Sequence, residues 1–252
     1  MNADVLSIDG KKAGTIVLPN AFSEAVRHDL IRRAVDAENS TLLQPQGHYV
    51  LAGMQTTATY YGAMHSYRTG RHMGIAIRPR EKLGGGVQGK VKRIPSAVKG
   101  KRAHPHTIEK TIVERINKKE YRKALSSAIA ATSKPSPIIV SDSINSIKKT
   151  SDMAKLIKAL TGIDTDDHKS RQRKGLRRGS KRKTYGKKIL IVCGEQNAMM
   201  SARNIAGVDA CTLESITVGM FAPGGNTFRK VIWSESAIKG LDSAIDKKEI
   251  RR

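Results

Sequence analysis

Apolar residues recur at helical spacing in several stretches of the chain. The first such helix follows Asn20, which can cap it, and others are predicted over residues 108–129, 152–160 and 197–206. One face of the first helix carries apolar side chains at intervals of four residues: Phe22, Val26, Leu30 and Ala34. Since this spacing places them above one another, they form a stripe that packs against a core.

Short apolar runs alternate with helices in the second half of the chain. The predicted strands cover residues 138–140, 189–193, 215–218 and 230–233, and Ser234 can cap a last helix. The run at 189–193, ILIVC, is apolar throughout, as in a strand buried on both faces. Strands that alternate with helices form a mostly parallel sheet. We therefore predict an α/β fold, a three-layer α/β/α arrangement with a mostly parallel, Rossmann-like sheet.

Residues 45–106 show neither a helical nor a strand period. Glycine, proline, small polar residues and cations dominate this stretch. It is far longer than the ~12 to 15 residues that a loop inside a compact domain usually has. We predict a single globular α/β domain formed by residues 1–44 and 107–252, with residues 45–106 as one long extended internal loop. Such a loop is either disordered or ordered by something outside the domain.

The net charge of +24 is concentrated in two places. Residues 65–106 contain eleven Lys or Arg and one acid, whereas residues 169–188 contain eleven and no acid. These two stretches carry +21 and leave only +3 for the rest of the chain. Residues 168–188 are therefore predicted to be a second basic segment within the globular domain. Because such densities of charge repel each other, a polyanion is the expected partner.

The composition of the basic stretches favours RNA over a membrane surface. A membrane-surface helix would pair its cations with an apolar stripe, but residues 171–188 hold one Leu, one Tyr and three Gly. Aromatic residues make up 4% of the chain, which disfavours the base-stacking platforms of single-strand binders. Structured RNA, bound through its backbone and shape, is the predicted partner, and no membrane contact is expected.

The chain carries no targeting pattern that we recognise. Its first twenty residues hold only short apolar runs, and no eighteen apolar residues follow one another anywhere. We expect a cytoplasmic protein. In that setting Cys193 and Cys211, which lie near apolar runs, are predicted to be buried free thiols.

Residues 84–91, GGGVQGKV, fit the dinucleotide pattern G-x-G-x-x-G and most of a Walker loop. Both motifs need a buried strand before the loop and a helix after it. Neither flank is predicted here, since Pro95 follows closely, and Val91 stands where a Walker loop has a hydroxyl. The glycines instead suit a backbone that passes close to RNA, with lysine beside it.

Other candidate sites are weaker. His104 and His106 flank Pro105 without a nearby Cys or acidic ligand, so no metal site is predicted. Residues 193–197, CGEQN, follow the buried strand at the place where a doubly wound enzyme binds a phosphate or a methyl donor. An RNA-modifying enzyme similar to a methyltransferase is therefore the alternative. The leading prediction has no catalytic residues and no cofactor.

Four ordered blocks of the sequence resemble a known family. The blocks are SYRTGRHMG (66–74), KVKRIPSAVKGKRAHPH (90–106), RRGSKRKTYGKKILIV (177–192) and APGGNTFRKVIWSESAI (222–238). They are similar to the family of large-ribosomal-subunit protein four in its archaeal branch, and the similarity runs over most of the chain.

The resemblance implies a structural constituent of the large ribosomal subunit that binds large-subunit rRNA and takes part in early assembly. It implies a surface α/β domain with a loop that penetrates the rRNA. The loop tip would help to line the nascent-peptide exit tunnel, beside neighbouring ribosomal proteins and the nascent polypeptide. No enzymatic activity and no homo-oligomer are expected.

The cations of both basic stretches are the candidate rRNA-binding residues, because Arg and Lys pair with phosphate. In the first stretch they are Arg68, Arg71, Arg78, Arg80, Lys82, Lys90, Lys92, Arg93, Lys99, Lys101 and Arg102, together with His104. In the second they are Lys169, Arg171, Arg173, Lys174, Arg177, Arg178, Lys181, Arg182 and Lys183. The midpoint of residues 65–106 falls within Gly84, Gly85 and Gly86, which are predicted to form the tip.

Overall fold

The computed structural model of the chain describes residues 2–8, 10–60, 62, 64–65, 71–85, 87–163, 171–172, 183–184 and 186–248. The chain divides into two compact units. The first comprises Met1–Leu42 and Val113–Arg252 and is here termed the sheet unit. The second comprises Leu43–Ile112 and is termed the basic unit.

The strands, in chain order, are β1 (Asn2–Leu6), β2 (Lys12–Val17), β3 (Arg80–Lys82), β4 (Gln88–Val91), β5 (Ile138–Val140), β6 (Arg171–Gln172), β7 (Lys183–Thr184), β8 (Ile189–Cys193), β9 (Val208–Thr212) and β10 (Lys230–Ser234). The α-helices are α1 (His28–Thr41), α2 (Lys118–Thr132), α3 (Thr150–Thr161), α4 (Gln196–Ala202), α5 (Val218–Phe221), α6 (Glu235–Lys239) and α7 (Leu241–Asp246). Short 3-10 helices cover Asn20–Phe22, Asp142–Ser146, Leu213–Ser215 and Pro223–Gly225.

Six strands of the sheet unit form one sheet in the order β2-β1-β5-β10-β8-β9. Strands β1 and β2 pair antiparallel, and every other neighbouring pair is parallel. Parallel neighbours require crossover connections, which the intervening helices supply. The predicted mixed α/β fold with a mostly parallel sheet is confirmed.

Strand β8 shows why the sheet is stable. All five of its residues are buried, as the apolar run ILIVC predicted. Leu190 and Val192 belong to one hydrophobic cluster, which includes residues of α1 and α2, whereas Ile189 and Ile191 belong to another, which includes residues of α3 and α4. Because successive side chains of a strand point to opposite faces, each face of the sheet carries its own cluster.

A carboxylate joins three helices of the sheet unit. Glu38 of α1 accepts a hydrogen bond from the hydroxyl of Tyr121 in α2 at 2.6 Å. It also accepts the backbone N–H groups of Val218 and Gly219, each at 2.8 Å. These two N–H groups lie in the first turn of α5, where they have no partner within the helix and where negative charge is stabilising. Burial raises the pKa of Tyr121, and the nearby charge of Glu38 raises it further.

Two predicted helices begin later in the structure than expected. Residues Asn20–Phe22 form a single 3-10 turn, and α1 starts only at His28. The second helix starts at Lys118, and Ile108 precedes it in the basic unit, where it is 71% exposed. The helical spacing was right for Tyr121, Leu125 and Ile129, which are buried residues of α2, and wrong for the apolar residues before Lys118. Ser234 does cap a helix as predicted, accepting the N–H of Ala237 at 3.2 Å.

The predicted strand at residues 215–218 is wrong. Ile216 and Val218 are both buried, which imitates the period of a strand, but they flank Thr217, the N-cap of α5. The strand of this region is β9, which ends at Thr212 and contains an acidic residue that masked it in the sequence. Strands β1 and β2 were also missed, because most side chains of β2 are exposed and show no apolar alternation.

The basic unit contains an antiparallel hairpin of β3 and β4, where no strand was predicted. These strands have three and four residues and no run of apolar side chains, so a strand period could not be seen. Within the described residues, no helix is long and apolar enough to cross a membrane.

Candidate nucleic-acid interface

The basic unit carries dense positive charge and almost no core. Residues 43–112 contain twelve Lys or Arg but only Glu81 and Glu109 as acids, a net charge of +10. Among the described residues of this unit, Ala58 is the one buried hydrophobic side chain. Large apolar side chains are exposed instead, with Val50 at 87% and Val98 at 85%. A unit of this kind lacks the apolar burial that stabilises small domains in water.

Two of the predicted tip glycines, Gly84 and Gly85, lie in the turn of the hairpin. Leu83 donates its N–H to the carbonyl oxygen of Val87 at 3.4 Å, and Val87 donates to that of Gly84 at 3.1 Å. Gly84 and Gly85 have φ values of 83° and 58°, a backbone region that favours glycine. A Cβ atom on either glycine would have no neighbour within 4 Å, so the turn is open to its surroundings. The glycines thus connect two strands, unlike a nucleotide loop, which joins a strand to a helix.

Two of the predicted RNA-binding cations also brace this hairpin. Arg80 donates through Nη2 to the carbonyl oxygen of Ala76 at 3.0 Å. The ammonium group of Lys92 forms an ion pair with the carboxylate of Glu81. Glu81 is therefore the counter-ion of one lysine within the unit, which explains an acid close to a cationic tip.

Residues 93–100 form two successive turns, here termed the double turn. Ala97 donates its N–H to the carbonyl oxygen of Ile94 at 3.2 Å, and Gly100 donates to that of Ala97 at 2.9 Å. A Cβ atom at Gly100 would overlap the carbonyl oxygen of Ile94, so only glycine fits. Arg93 and Lys99 adopt left-handed backbone conformations, with φ of 72° and 57°, and both side chains are exposed.

The outgoing and returning parts of the basic unit meet at a neck. His48 donates its N–H to the carbonyl oxygen of His106 at 3.2 Å, and the two imidazole rings lie edge to face, 5.3 Å apart. The Nη1 atom of Arg102 lies 3.0 Å from Nε2 of His48. A Cβ atom at Gly53 would lie 2.5 Å from Cα of Lys101, so the two backbones are in close contact there.

Most of the predicted residues of the first basic stretch present their side chains to solvent. Arg80 and Lys92 are half-buried in the hairpin, consistent with their bracing contacts. The exposed ones are Arg71, Arg78, Lys82, Lys90, Arg93, Lys99, Lys101, Arg102 and His104. The structure therefore brings these cations together on the surface of one unit of the chain.

Several predicted residues lie outside the described residues. They are Arg68 and Gly86 in the first stretch, and Lys169, Arg173, Lys174, Arg177, Arg178, Lys181 and Arg182 in the second. For the second stretch the structure gives a backbone pairing of β6 with β7, in which Arg171 lies opposite Thr184 and Lys183 opposite Gln172.

The turn after β8 lies close to the start of α6. The N–H of Gly194 donates to the hydroxyl of Ser234 at 3.0 Å. A Cβ atom at Gly194 would collide with the hydroxyl of Ser236, which lies in the first turn of α6. The backbone of Gly194 therefore lies against α6, whereas Gly194, Glu195 and Gln196 remain exposed.

The two cysteines are buried free thiols, as predicted. Cys193 and Cys211 belong to the clusters on opposite faces of the sheet, so a disulfide between them would require them to share a face. Burial raises the pKa of each thiol to about 12, which keeps both protonated and unreactive at neutral pH. Among the described residues, no group of three or more His, Cys, Asp or Glu is placed to hold a metal ion.

Comparison with known proteins identifies the family. Residues 16–244 match the sequence model of the ribosomal protein L4/L1 family, which spans both the sheet unit and the basic unit. The chain belongs to this family. The resemblance noted from four sequence blocks is thus confirmed over nearly the whole chain.

The family relatives are archaeal proteins of nearly the same length. A large ribosomal subunit protein uL4 of Methanocaldococcus jannaschii is 37% identical over 262 residues, covering 96% of this chain and 98% of the relative. The uL4 proteins of Methanospirillum hungatei and Archaeoglobus fulgidus are each 35% identical, with the same coverage of 96% and 98%.

Sequence reasoning missed the neck. His48 was not among the predicted residues, and His106 was interpreted as facing RNA, with a metal site as the weaker alternative. The pairing of residues 47–53 with residues 101–108 depends on contacts between distant parts of the chain. The available signal was two glycines, Gly47 and Gly53. The side chain of Ile108 occupies the space beside Gly47, and the backbone of Lys101 occupies the space beside Gly53, so a larger residue would not fit at either position.

Proposed function

We propose that this protein is a structural constituent of the large ribosomal subunit that binds large-subunit rRNA and supports early subunit assembly. One observation carries the proposal: the L4/L1 family match covers a cationic unit whose described residues bury a single hydrophobic side chain. RNA phosphates supply the counter-charges that this unit lacks. Because the family is one of ribosomal proteins, the proposal includes no catalytic activity and no cofactor.

In this proposal residues 45–106 act as a long extended loop that penetrates the rRNA. Ordering the loop costs roughly 1 to 2 kcal/mol per residue, and the few buried groups of the basic unit cannot offset that cost. Contacts of its exposed Arg and Lys side chains with phosphates provide the compensation. Residues 168–188 form a second rRNA contact.

Gly84, Gly85 and Gly86 are the proposed tip, which helps to line the nascent-peptide exit tunnel. Supporting features are the open surroundings of Gly84 and Gly85 and the exposed side chains of Leu83 and Val87 on either side of them. The tip meets the nascent polypeptide and lies beside neighbouring large-subunit ribosomal proteins.

The sheet unit is the proposed anchor of the loop. Residues 1–44 and 107–252 form one globular domain, a Rossmann-like three-layer α/β/α arrangement, supported by the two hydrophobic clusters to which successive residues of β8 belong. The protein acts as a single copy in the large ribosomal subunit, without a membrane and without homo-oligomers.

An RNA-modifying enzyme, the alternative left open by the sequence, is not supported. The family is one of ribosomal proteins, the N–H of Gly194 is bound to Ser234, and the hydroxyl of Ser236 occupies the space beside the Cα of Gly194. A cofactor in the crevice beyond a parallel strand needs that space for its phosphate.

The decisive experiment removes the loop at its neck. Because the backbones of Gly53 and Lys101 are in close contact, residues 54–100 can be replaced by a Gly-Ser-Gly linker without stretching the chain. The variant should retain cooperative unfolding of the sheet unit, measured by circular dichroism. Its affinity for large-subunit rRNA should fall about 100-fold or more at ~0.15 M salt, because nine cations are lost from the deleted segment.

The matched control keeps the loop and changes charge in the sheet unit. Lys155 and Lys239 are exposed lysines of α3 and α6, and replacing both by Ala removes two positive charges far from the deleted segment in sequence. This control should bind rRNA nearly as tightly as the natural chain. Undiminished rRNA binding by the loop deletion would contradict the proposal.

A further inference from the structure

Strand β2 lies at one edge of the sheet and is exposed to solvent. The strand order places β1 on its inner side and, within the described residues, no strand on its outer side. Five of its six residues are exposed, whereas all five residues of β9, at the opposite edge, are buried or half-buried. An edge strand presents a row of backbone N–H and C=O groups without a partner strand. Strand β2 can therefore pair with an additional strand.

Only the beginning of β2 is protected against such pairing. Edge strands are commonly protected by lysine, by proline or by a β-bulge. Lys12 stands at the start of β2, and the register shifts there, since Leu6 pairs with Lys12 but Val5 with Gly14. From Gly14 to Val17 the register is regular, and the sequence GTIV contains neither lysine nor proline. We term these four residues the open edge.

The open edge has one apolar face and one exposed face. Ile16 packs against the hydrophobic cluster that includes residues of α1 and α2, and Gly14 lies on the same face, because side chains alternate along a strand. A Cβ atom at Gly14 would have no neighbour within 4 Å, so the space beside it is open. Thr15 and Val17 lie on the other face and are exposed, Val17 at 72%. An added strand with a large apolar residue beside Gly14 would fill that space and extend the apolar face.

The charge around the open edge favours a peptide partner over RNA. The side-chain charges of residues 1–22 cancel, because Asp4 and Asp9 balance Lys11 and Lys12. Asp4 and Lys12 also form an ion pair with each other at 2.5 Å. A neutral edge does not attract a polyanion, and a second copy of a chain with a net charge of +24 is repelled. The partner that fits is an apolar strand of another protein.

We propose that the open edge binds an extended, apolar segment of a neighbouring large-subunit ribosomal protein by β-augmentation. The inference rests on the proposed function, which supplies the neighbour, and goes beyond it by assigning the contact surface and the kind of partner. Backbone hydrogen bonds along the open edge supply affinity, and a side chain in the space beside Gly14 supplies specificity. The six-stranded sheet thereby gains a further strand next to β2.

Site-specific photocross-linking in assembled subunits tests the proposal. The full chain carries p-benzoylphenylalanine in place of Thr15 or of Val17 and replaces the natural chain in cells, from which large subunits are purified. Both positions are on the exposed face, so the label leaves the backbone of the open edge accessible. After irradiation, mass spectrometry should identify one segment of another ribosomal protein. The attachment points of the two labels should be two residues apart in that segment, since paired strands advance together.

The partner segment and a control label sharpen the test. A large apolar residue should directly adjoin the attachment point of the label at position 15, because it would face Gly14. Lys155→p-benzoylphenylalanine places the same label on an exposed position of α3, and its yield of cross-links to that segment should be at least about 10-fold lower. Equal yields from α3 and from the open edge would contradict a contact specific to β2.

The outcomes separate this inference from the proposed function. A chain that does not co-sediment with large subunits overturns the proposed function and this inference with it. If the chain co-sediments but the labels attach to rRNA, to a second copy of the chain or to nothing, the proposed function stands and β-augmentation is refuted. Attachment to one protein at points that are not two residues apart would also refute it, because such a contact lacks the register of paired strands.

Discussion

The sheet unit and the basic unit differ in how much apolar surface they bury. Of forty buried hydrophobic side chains among the described residues, thirty-nine lie in the sheet unit and one, Ala58, lies in the basic unit. Apolar burial drives the folding of the first, whereas the second exposes both its apolar side chains and its cations. In the proposed function, rRNA covers the basic unit and stabilises it.

The ion pairs of the two units also differ in the burial of their basic side chains. In the sheet unit, Arg229 has a side chain only 1% exposed, and its Nη1 lies 2.5 Å from Oδ2 of Asp209. In the basic unit, Lys92 pairs with Glu81 while both side chains stay about one-third exposed. The guanidinium of the first pair is buried in the folded core, whereas both members of the second pair are partly exposed, so an RNA phosphate can replace Glu81 as the partner of Lys92.

The largest expected effect contrasts a core residue with an exposed one. Trp233→Ala removes a fully buried side chain that stacks near Phe221 at 5.8 Å, so the free energy of unfolding should fall by about 3 to 5 kcal/mol. Leu83→Ala, in the exposed hairpin turn, should change it by less than about 0.5 kcal/mol. Urea denaturation of both variants measures the difference. Equal losses of unfolding free energy would contradict the view that only the sheet unit depends on apolar burial.

The next effect tests the buried charge. Asp209→Asn leaves Arg229 buried without a counter-ion, and its Nε and Nη2 atoms already have no hydrogen-bond partner within the described residues. The free energy of unfolding should fall by roughly 3 kcal/mol. Asp152→Asn, in an exposed pair with Lys155, is the control and should change stability by less than about 0.5 kcal/mol.

The pH dependence of the free energy of unfolding is a second test of the ion pair between Asp209 and Arg229. Burial raises the pKa of Asp209, but the hydrogen bond and charge of Arg229, aided by Lys187, outweigh burial and lower the pKa below its ordinary value. The stabilisation is therefore present above the unfolded pKa of about 3.9 and is lost as the pH falls through the folded pKa. Asp209→Asn should flatten the stability profile below about pH 4, and an unchanged profile would contradict the role of the pair.

The sequence predicted the parts of the molecule whose pattern is local. The run ILIVC identified β8, and Ser234 marked the start of α6, because apolar runs and caps act within a few residues. Strand β9 was missed because its acidic residue masks the apolar pattern, and the strand predicted at 215–218 was wrong because the burial of Ile216 and Val218 imitates a strand period.

The candidate interface was predictable in composition but not in geometry. Charge density and glycine content pointed to residues 45–106 as the RNA-facing segment. The left-handed backbone of Arg93 and Lys99 had no signal in the sequence, because φ at these positions is set by the closure of the turn on Gly100. The pairing of Glu81 with Lys92 likewise needed the register of the hairpin.

The smallest expected effect comes from Glu81→Gln, an acid-to-amide change that should strengthen RNA binding rather than weaken the fold. Glu81→Gln releases Lys92 from a partly exposed ion pair, so the free energy of unfolding should change by less than about 1 kcal/mol. In contrast to Asp209→Asn, the variant should bind large-subunit rRNA about 2-fold to 5-fold more tightly, because one negative charge is lost and Lys92 becomes available to phosphate. Fluorescence anisotropy with labelled rRNA at a fixed salt concentration measures the gain.

The matched control for this last change is Glu109→Gln, which removes the other acid of the basic unit but frees no lysine in the hairpin. If both variants gain affinity equally, the effect is one of net charge alone. If Glu81→Gln instead lowers affinity, the carboxylate orients Lys92 for RNA. The exposed pair would then be part of the interface, and the contrast drawn between buried and exposed ion pairs would not hold for the basic unit.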